Sequence, residues 1–322
     1  MFRWGILSTG TIARNFAETC AKMDDVAVQA VASRDAATAR AFADEFGIPT
    51  AHGSYEALAA DPEVDIVYIA TPHSRHFEDM KRMIDAGKHI LCEKSFTTDA
   101  RQAEEILAYA RERGVFVMEA FWTKLIPLYR QIEQIVRSGE IGELRAVTAQ
   151  YGYTTGRMAR KFDAQLAGGT LLDIGVYAIG FACMFMGYAP ERVVASMVMN
   201  DQGTDATDAV TLHKDGVCAQ LITTIGANIP TFGALYGTKG HIDIPDFKNP
   251  QRAVVCVDGQ APREIVSPFE INGFEYEIRE AQACAAAGRG ESAVMTHENT
   301  VAVMRIMDEV RRQCGPVFPF EA

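Results

Sequence analysis

An acidic and a basic residue, Glu93 and Lys94, directly follow the short apolar run at positions 90–92. Such a run predicts a buried parallel strand, and ligands bind at the carboxyl ends of the strands in open α/β sheets. A lysine placed there can serve as a proton donor, because burial readily lowers the pKa of an ammonium group. Taken alone, however, the two residues favour the simpler interpretation of a surface ion pair.

A second pair of reactive side chains, Asp173 and Tyr177, lies in the glycine-rich stretch 168–177. On a helix, residues four apart share one face, and the glycines permit close approach of a ligand or of a neighbouring element. An acid and a phenol that converge on a cleft can position a substrate hydroxyl and relay a proton. The alternative is that Asp173 caps the helix and Tyr177 packs in the core.

A degenerate dinucleotide-binding fingerprint follows the first strand-like run. In the pattern G-x-G-x-x-G/A, Ser8 takes the first glycine position, Gly10 the second and Ala13 the third. Gly10 leaves room for a pyrophosphate beside the backbone, and the start of the next helix, at Thr11 and Ile12, would attract the phosphates. The serine at position 8 departs from the pattern.

The second strand-like run ends before Ser33 and Arg34. An acid at this place would bind the 2′-hydroxyl of NAD, whereas a hydroxyl and a guanidinium suit a 2′-phosphate. The sequence therefore predicts a preference for NADP, with NAD possible. The alternative is that Arg34 is only solvated and that Asp35 binds the ribose.

Polar residues also follow two other apolar runs, and we expect them to line the same cleft. They are Thr71, Pro72, His73, His76 and Glu119. The two histidines have the spacing of a metal-binding pair, but the favoured interpretation is that they stand at the start of a helix and line a cofactor cleft. We therefore predict cofactor contacts here and no metal.

These residues need a sheet to position them, and the chain predicts two. Between residues 2 and about 120, strand-like runs alternate with amphipathic helices, which indicates a doubly wound, mostly parallel Rossmann sheet. After residue 121, strand-like runs follow one another with few helices between them, which indicates an α/β domain on a mixed, largely antiparallel open sheet. We predict one domain at 1–121 and a second at 122–322.

Composition excludes several classes of function. The 322-residue chain has a formal net charge of −11, which argues against nucleic-acid and anionic-membrane partners. Seven widely spaced cysteines without a Cys-x-x-Cys motif predict buried free thiols in a reducing compartment. The sequence has no signal peptide and no apolar run near 18 residues, so we expect a cytoplasmic protein.

Taken in series, four motifs resemble those of the Gfo/Idh/MocA oxidoreductases, the relatives of glucose-fructose oxidoreductase and inositol dehydrogenase. They are the turn at Gly10, the segment from Thr71 to His76, the pair Glu93–Lys94, and Asp173 with Tyr177. The resemblance spans essentially the whole chain. Residues 118–123, 168–177 and 237–240 are most similar to the dimeric dihydrodiol dehydrogenase branch, which includes NADP-dependent D-xylose dehydrogenases.

The resemblance implies hydride transfer between NAD(P) and a hydroxyl or carbonyl carbon of a sugar, cyclic diol or polyol. By position, Lys94 would bond the reacting oxygen, Tyr177 would exchange its proton, and Asp173 would orient the substrate. Glu93 would help to hold Lys94 and the cofactor. The open sheet of the second domain would join subunits into a homodimer or a higher homo-oligomer.

Two positions depart from the family pattern. Ser95 stands where relatives usually have proline, and Tyr177 stands where many have histidine. A tyrosine needs a cationic neighbour to exchange protons at neutral pH, because its ordinary pKa is about 10. The alternative to an enzyme is a catalytically silent NADP-binding regulator. Side chains that could line a substrate pocket are Trp122, Tyr153, Arg157, Arg160 and Phe162.

Overall fold

The computed structural model describes residues 2–154 and 159–321. The chain forms two compact units. The first comprises Met1–Trp122 and Glu270–Thr300, and the second comprises Thr123–Phe269 and Val301–Ala322.

The first unit is built on a six-stranded parallel sheet in the order β3-β2-β1-β4-β5-β6. Its strands are β1 (Arg3–Leu7), β2 (Ala27–Ala32), β3 (Thr50–His52), β4 (Ile66–Ile69), β5 (His89–Glu93) and β6 (Val117–Ala120). The strand order reverses between β1 and β4, and at such a switch point a Rossmann fold binds its dinucleotide. The predicted doubly wound sheet is confirmed.

Helices follow the strands of this sheet, as right-handed crossovers require. They are α1 (Thr11–Cys20), α2 (Ala36–Phe46), α3 (Tyr55–Ala59), α4 (His76–Asp85) and α5 (Ala100–Arg113). All four residues of β4 are buried, which explains why this strand is continuously apolar instead of alternating.

Helix α8 (Phe274–Ala286) packs in the first unit, although the sequence-based division places all of 122–322 in the second domain. Its apolar face, which includes Ile278 and Ala281, is fully buried. The indole nitrogen of Trp4 donates to Gln282 at 3.2 Å, which ties α8 to β1. Helix α8 belongs to the first unit because its apolar face is buried there. The sequence contains no linker that would indicate this return of the chain.

The second unit contains an eight-stranded sheet in the order β14-β13-β12-β11-β7-β10-β9-β8. Its strands are β7 (Leu144–Gly152), β8 (Arg192–Met199), β9 (Asp205–Lys214), β10 (Val217–Thr224), β11 (Ile229–Gly237), β12 (Gly240–Pro245), β13 (Arg252–Val257) and β14 (Arg263–Val266). Among these described strands, β7 and β10 pair in parallel and the other neighbours pair antiparallel. The predicted mixed, largely antiparallel sheet is confirmed.

Three α-helices have all or most of their residues in the second unit: α6 (Pro127–Arg137), α7 (Val176–Met186) and α9 (His297–Cys314). Helix α7 follows a π-helical turn, Leu171–Gly175, and packs against β7 and β10. Contrary to the sequence-based expectation of no apolar run near 18 residues, the stretch Ala164–Met186 is long and apolar enough to cross a membrane by composition alone. In the structure, 83% of its most apolar window is buried inside the protein. Such burial is that of a core helix.

All seven cysteines are free thiols, as the sequence predicts. Their predicted burial holds for four, namely Cys20, Cys92, Cys183 and Cys284. Cys218, Cys256 and Cys314 are instead partly exposed, because they lie at the surfaces of β10, β13 and the end of α9.

Candidate active site

The turn between β1 and α1 has the geometry of a phosphate cradle. A side chain added at Gly10 would meet only the Ser8 hydroxyl within 4 Å, at 3.8 Å, so the backbone at Gly10 is open to a ligand. Ser8 has a φ of 108°, a conformation that favours glycine, which is the residue the fingerprint has there. The first turn of α1 carries no acidic residue, and its N–H groups suit an anion. These features fit a dinucleotide pyrophosphate.

The residues after β2 favour Arg34 over Asp35 as the ribose-end residue. Asp35 is the N-cap of α2, and its Oδ2 accepts from the Thr38 N–H at 2.7 Å and from the Thr38 hydroxyl at 2.5 Å. These bonds lower the pKa of Asp35. Ser33 is half-buried and Arg34 is exposed beyond the strand end. In this segment, Asp35 is therefore used to cap α2, whereas the guanidinium of Arg34 does not cap the helix.

The segment after β4 is joined to the segment after β5 through His76. This histidine is fully buried, and its Nε2 lies 2.8 Å from the Thr71 carbonyl while Nδ1 lies 3.0 Å from the Ser95 carbonyl. Burial lowers the pKa of His76. The His73 ring packs edge-on to it, and Pro72 is half-buried. His76 thus positions two loops from within the core and does not line an open cleft.

Glu93 is buried at the end of β5, which rules out the interpretation of a surface ion pair. Its Oε1 accepts a hydrogen bond from the Tyr68 hydroxyl, and the Tyr68 ring stacks on Phe16 with centroids 3.9 Å apart. Burial raises the pKa of Glu93, against the opposing charge of Lys94. Lys94 is half-buried, and the peptide bond that joins it to Ser95 is cis.

Two more buried carboxyl groups belong to the same electrostatic group. Glu119, at β6, has a pKa raised to about 7 by burial, in spite of a hydrogen bond from Thr300 and the charge of Lys94. Glu277, on α8, is fully buried, and its pKa is raised well above its ordinary value by burial and by the charge of Glu93. Lys94 is therefore a cation beside the buried carboxyl groups of Glu93 and Glu119, at the carboxyl ends of β5 and β6.

In the second unit, Asp173 holds an ion pair instead of capping a helix. Its Oδ2 accepts from the Tyr153 hydroxyl and from the Lys161 ammonium, each at 2.7 Å. Lys161 also donates to the Tyr153 hydroxyl and lies 4.4 Å from the centroid of that ring. The side chains of Lys161 and Asp173 are only 15% and 17% exposed, so water screens the pair little.

Tyr177 is half-buried on α7, one helical turn after Asp173, and does not belong to the core. Its ring lies edge-on to Tyr151 with centroids 6.4 Å apart, and Tyr151 in turn packs 5.6 Å from Tyr153. Burial, with the charge of Asp173, raises the pKa of Tyr151 to about 12. The predicted acid and phenol thus share one aromatic cluster in the second unit.

The glycines that open this segment serve neighbouring elements. A side chain at Gly168 would come within 2.7 Å of the Lys161 carbonyl oxygen, and one at Gly169 within 2.1 Å of Asp205 Oδ1. Asp205 Oδ2 accepts from the Leu171 N–H at 2.5 Å. The glycines allowed two explanations for close approach, a ligand or a neighbouring element, and the structure shows a neighbouring element.

Three residues that contact the candidate site residues or the turn that carries them were not found from the sequence: Lys161, Asp205 and Glu277. A signal existed for Glu277, because it stands among the apolar residues that α8 buries. Among the other candidates, Trp122 is 9% exposed and packs on Phe274, and Phe162 is half-buried. Arg157 lies outside the described residues, as does the side chain of Arg160.

Comparison with known proteins identifies the family. Residues 2–121 match the model of the oxidoreductase family with an NAD-binding Rossmann fold, and residues 129–243 match the GFO/IDH/MocA C-terminal domain. Trans-1,2-dihydrobenzene-1,2-diol dehydrogenase of Xenopus tropicalis is 35% identical over 329 residues, which cover 98% of this chain and 99% of the relative. The mouse enzyme of the same name is also 35% identical, with 98% of both chains covered.

Solved structures agree with this assignment. The 3-ketoreductase KijD10 of Actinomadura kijaniata, crystallised with NADP and TDP-benzene, has a TM-score of 0.88 and 29% identity, with 98% of both chains covered. An aldose-aldose oxidoreductase of Caulobacter crescentus has the same fold, with a TM-score of 0.88 at 24% identity, over 97% of this chain and 96% of that one. The present chain belongs to the Gfo/Idh/MocA family and is an NAD(P)-dependent oxidoreductase.

Proposed function

We propose that this enzyme prefers NADP and transfers a hydride between the nicotinamide and a hydroxyl or carbonyl carbon of a sugar, cyclic diol or other polyol. The observation that carries the proposal is the buried acidic cluster around Lys94, at the carboxyl end of a strand that borders the switch-point strand β4. The named activities of the relatives, on a dihydrodiol and as a 3-ketoreductase, support the substrate class.

The cofactor residues lie at the carboxyl ends of the parallel strands. They are Ser8, Gly10, Thr11, Ile12, Ser33, Arg34, Thr71, Pro72, His73, Glu93, Lys94 and Glu119, with His76 acting through the loops that it joins. Arg34 favours a 2′-phosphate, because a guanidinium can donate two parallel hydrogen bonds to phosphate oxygens. Asp35, in contrast, caps α2. When bound, the nicotinamide supplies the hydride acceptor or donor.

The proton is handled by side chains of the chain itself. In the oxidation direction, Tyr177 takes the proton of the substrate hydroxyl, Lys94 stabilises the negative charge that develops on the oxygen, and Asp173 orients the substrate. Burial raises the pKa of the neighbouring Tyr151 to about 12, which disfavours its phenolate form and therefore its use in this exchange. Glu93 holds Lys94 from the buried side.

Replacing Lys94 tests this assignment. We expect Lys94→Ala to lower kcat by roughly 100-fold or more, the usual contribution of a positioned acid–base group, while the Kd for NADPH changes little. Lys81→Ala is a matched control in the same unit, because Lys81 pairs with Asp85 on the exposed face of α4. Near-normal turnover of the Lys94 variant would refute the mechanism. NADPH binding by the unaltered protein without turnover of any aldose, polyol or cyclic diol would favour the silent regulator.

We further propose that the chain forms a homodimer, or a higher homo-oligomer, through the second unit's sheet. Along β10, Ala219 and Leu221 are buried whereas Ile222 is 41% exposed, and Val198 on β8 is 61% exposed. A sheet face that exposes apolar residues is typical of a protein interface. Sedimentation should give a mass of two or more chains, and Val198→Glu should lower it; a monomer for the unaltered protein would contradict the proposal.

A cytoplasmic location is also part of the proposal. Its support is that all seven cysteines are free thiols, which suits a reducing compartment. Substrates are small molecules, and the net charge of −11 disfavours nucleic acid and anionic membranes as partners.

A further inference from the structure

The ammonium group of Lys161 lies directly against the carboxylate of Asp173, the residue proposed to orient the substrate. It lies 2.7 Å from Asp173 Oδ2, and the Tyr153 hydroxyl donates to the same oxygen at 2.7 Å. Tyr153 also accepts from Lys161, so each member of this triad bonds the other two. Neither ion is more than 17% exposed.

The backbone fixes Lys161 relative to Asp173. The Lys161 carbonyl accepts from the Gly169 N–H at 2.8 Å, two residues before the helical turn that carries Asp173 begins. The absence of a side chain at Gly168 allows this approach. Movement of the ammonium is therefore limited to the side chain, which also packs on the Tyr153 ring.

Stability alone does not explain an ion pair in this position. Removing two charges from water is unfavourable, and a buried pair is often no more stabilising than apolar residues of similar size. The pair bonds Tyr153, whose ring packs on Tyr151, and Tyr151 in turn contacts Tyr177. Because both ions keep some exposure to solvent, the pair is available to a ligand. Recognition of a polar substrate gives it a task.

The chemistry of the two groups defines that substrate. A carboxylate only accepts hydrogen bonds, an ammonium only donates them, and a hydroxyl does both. An ammonium and a carboxylate side by side therefore complement two neighbouring hydroxyls, one donating to Asp173 and the other accepting from Lys161. A substrate with a single hydroxyl can use only one of the two groups.

We propose that Lys161 is a specificity-determining residue that positions Asp173 and, together with it, selects substrates with a second hydroxyl adjacent to the reacting one. This inference rests on the proposed function, because it assigns the substrate class of the same site. The triad also separates the two tasks of the second unit: Tyr177 exchanges the proton, while Lys161 and Asp173 hold the neighbouring oxygen.

Kinetics on matched pairs of substrates test the proposal. Rates of NADP⁺ reduction are compared for trans-cyclohexane-1,2-diol and cyclohexanol, and for D-xylose and its 2-deoxy analogue. We expect Lys161→Met to lower kcat/KM for the substrate with the adjacent hydroxyl by roughly 10- to 100-fold, the range of a lost charge-assisted hydrogen bond, mainly through KM. The partner substrate, the Kd for NADPH and the kcat should change little. Lys161→Arg should restore most of the preference.

The controls separate recognition from folding. Lys214→Met removes another partly buried lysine that pairs with an aspartate in the second unit, and should leave the preference unchanged. If Lys161→Met does not fold, Lys161→Gln and Tyr153→Phe are compared by the same ratio, and both should reduce it. An equal loss on both members of a pair, or no loss on either, would overturn the inference. Failure of the unaltered enzyme to oxidise any of the four compounds would instead overturn the proposed function.

Discussion

The contact between Gly169 and Asp205 sets the start of the segment that carries Asp173 and Tyr177, and we predict that Gly169→Ala disrupts it. Gly169 has a φ of +125°, where a residue with a side chain is strained, and its added Cβ would lie 2.1 Å from Asp205 Oδ1. Asp205 is 2% exposed and cannot swing into solvent without leaving the core.

The magnitude follows from these two effects. The backbone strain costs about 1–2 kcal/mol. The clash forces the carboxylate away from the Leu171 N–H, to which it is bonded at 2.5 Å, and a hydrogen bond to a charged group contributes about 1.5–3 kcal/mol. We therefore expect Gly169→Ala to lower the free energy of unfolding by about 2.5–5 kcal/mol.

A double-mutant cycle separates the two effects. In Asp205→Ala the clash is absent, so the further change Gly169→Ala should cost only the strain, and the two substitutions should couple by about 2 kcal/mol. Urea denaturation of the four proteins gives the stabilities, and kcat of the folded variants reports the position of Tyr177. Strict additivity of the two substitutions would refute the reasoning, as would an undiminished kcat in folded Asp205→Ala.

Two further predictions concern the first unit. Burial raises the pKa of Glu119 from 4.5 to about 7, so the folded protein binds this proton more tightly and loses stability as pH rises between these values. Glu119→Gln should therefore be more stable than the unaltered protein by up to ~3 kcal/mol above pH 7, and this difference should vanish near pH 4.5. A difference in urea denaturation that does not depend on pH would contradict this prediction. Arg34→Ala should weaken NADPH binding by roughly 10- to 100-fold and NADH binding far less, measured by nicotinamide fluorescence; equal losses would show that Arg34 does not contact the 2′-phosphate.

The sequence predicted the two sheets because hydrophobic patterning is local. Strand β4 is buried on both faces and is continuously apolar. Strand β10 is buried on one face, and its buried and exposed residues alternate. The unit in which α8 packs could not be predicted in this way, because an apolar helix face can pack against either sheet. Contacts such as that of Trp4 with Gln282 decide where it packs.

For a similar reason, only some residues of the candidate site could be proposed from the sequence. Glu93 and Lys94 could be recognised because a strand end marks them, and Asp173 with Tyr177 because helical spacing does. Lys161 lies 12 residues before its partner in the ion pair, in a segment without a periodic signal. Asp205 is 34 residues from the N–H that it accepts, so only the folded chain reveals its task.

Transfer of deuterium tests the central claim most directly. The enzyme is incubated with NADP⁺ and trans-cyclohexane-1,2-diol or D-xylose that carries deuterium on the reacting carbon, and the reduced nucleotide is analysed by mass spectrometry. If Lys94 and Tyr177 support direct hydride transfer from the substrate carbon to the nicotinamide, the reduced nucleotide should carry one deuterium. The Lys94→Ala variant should form no reduced nucleotide on the same timescale. Reduced nucleotide without deuterium, or equal yield from the Lys94 variant, would contradict the mechanism.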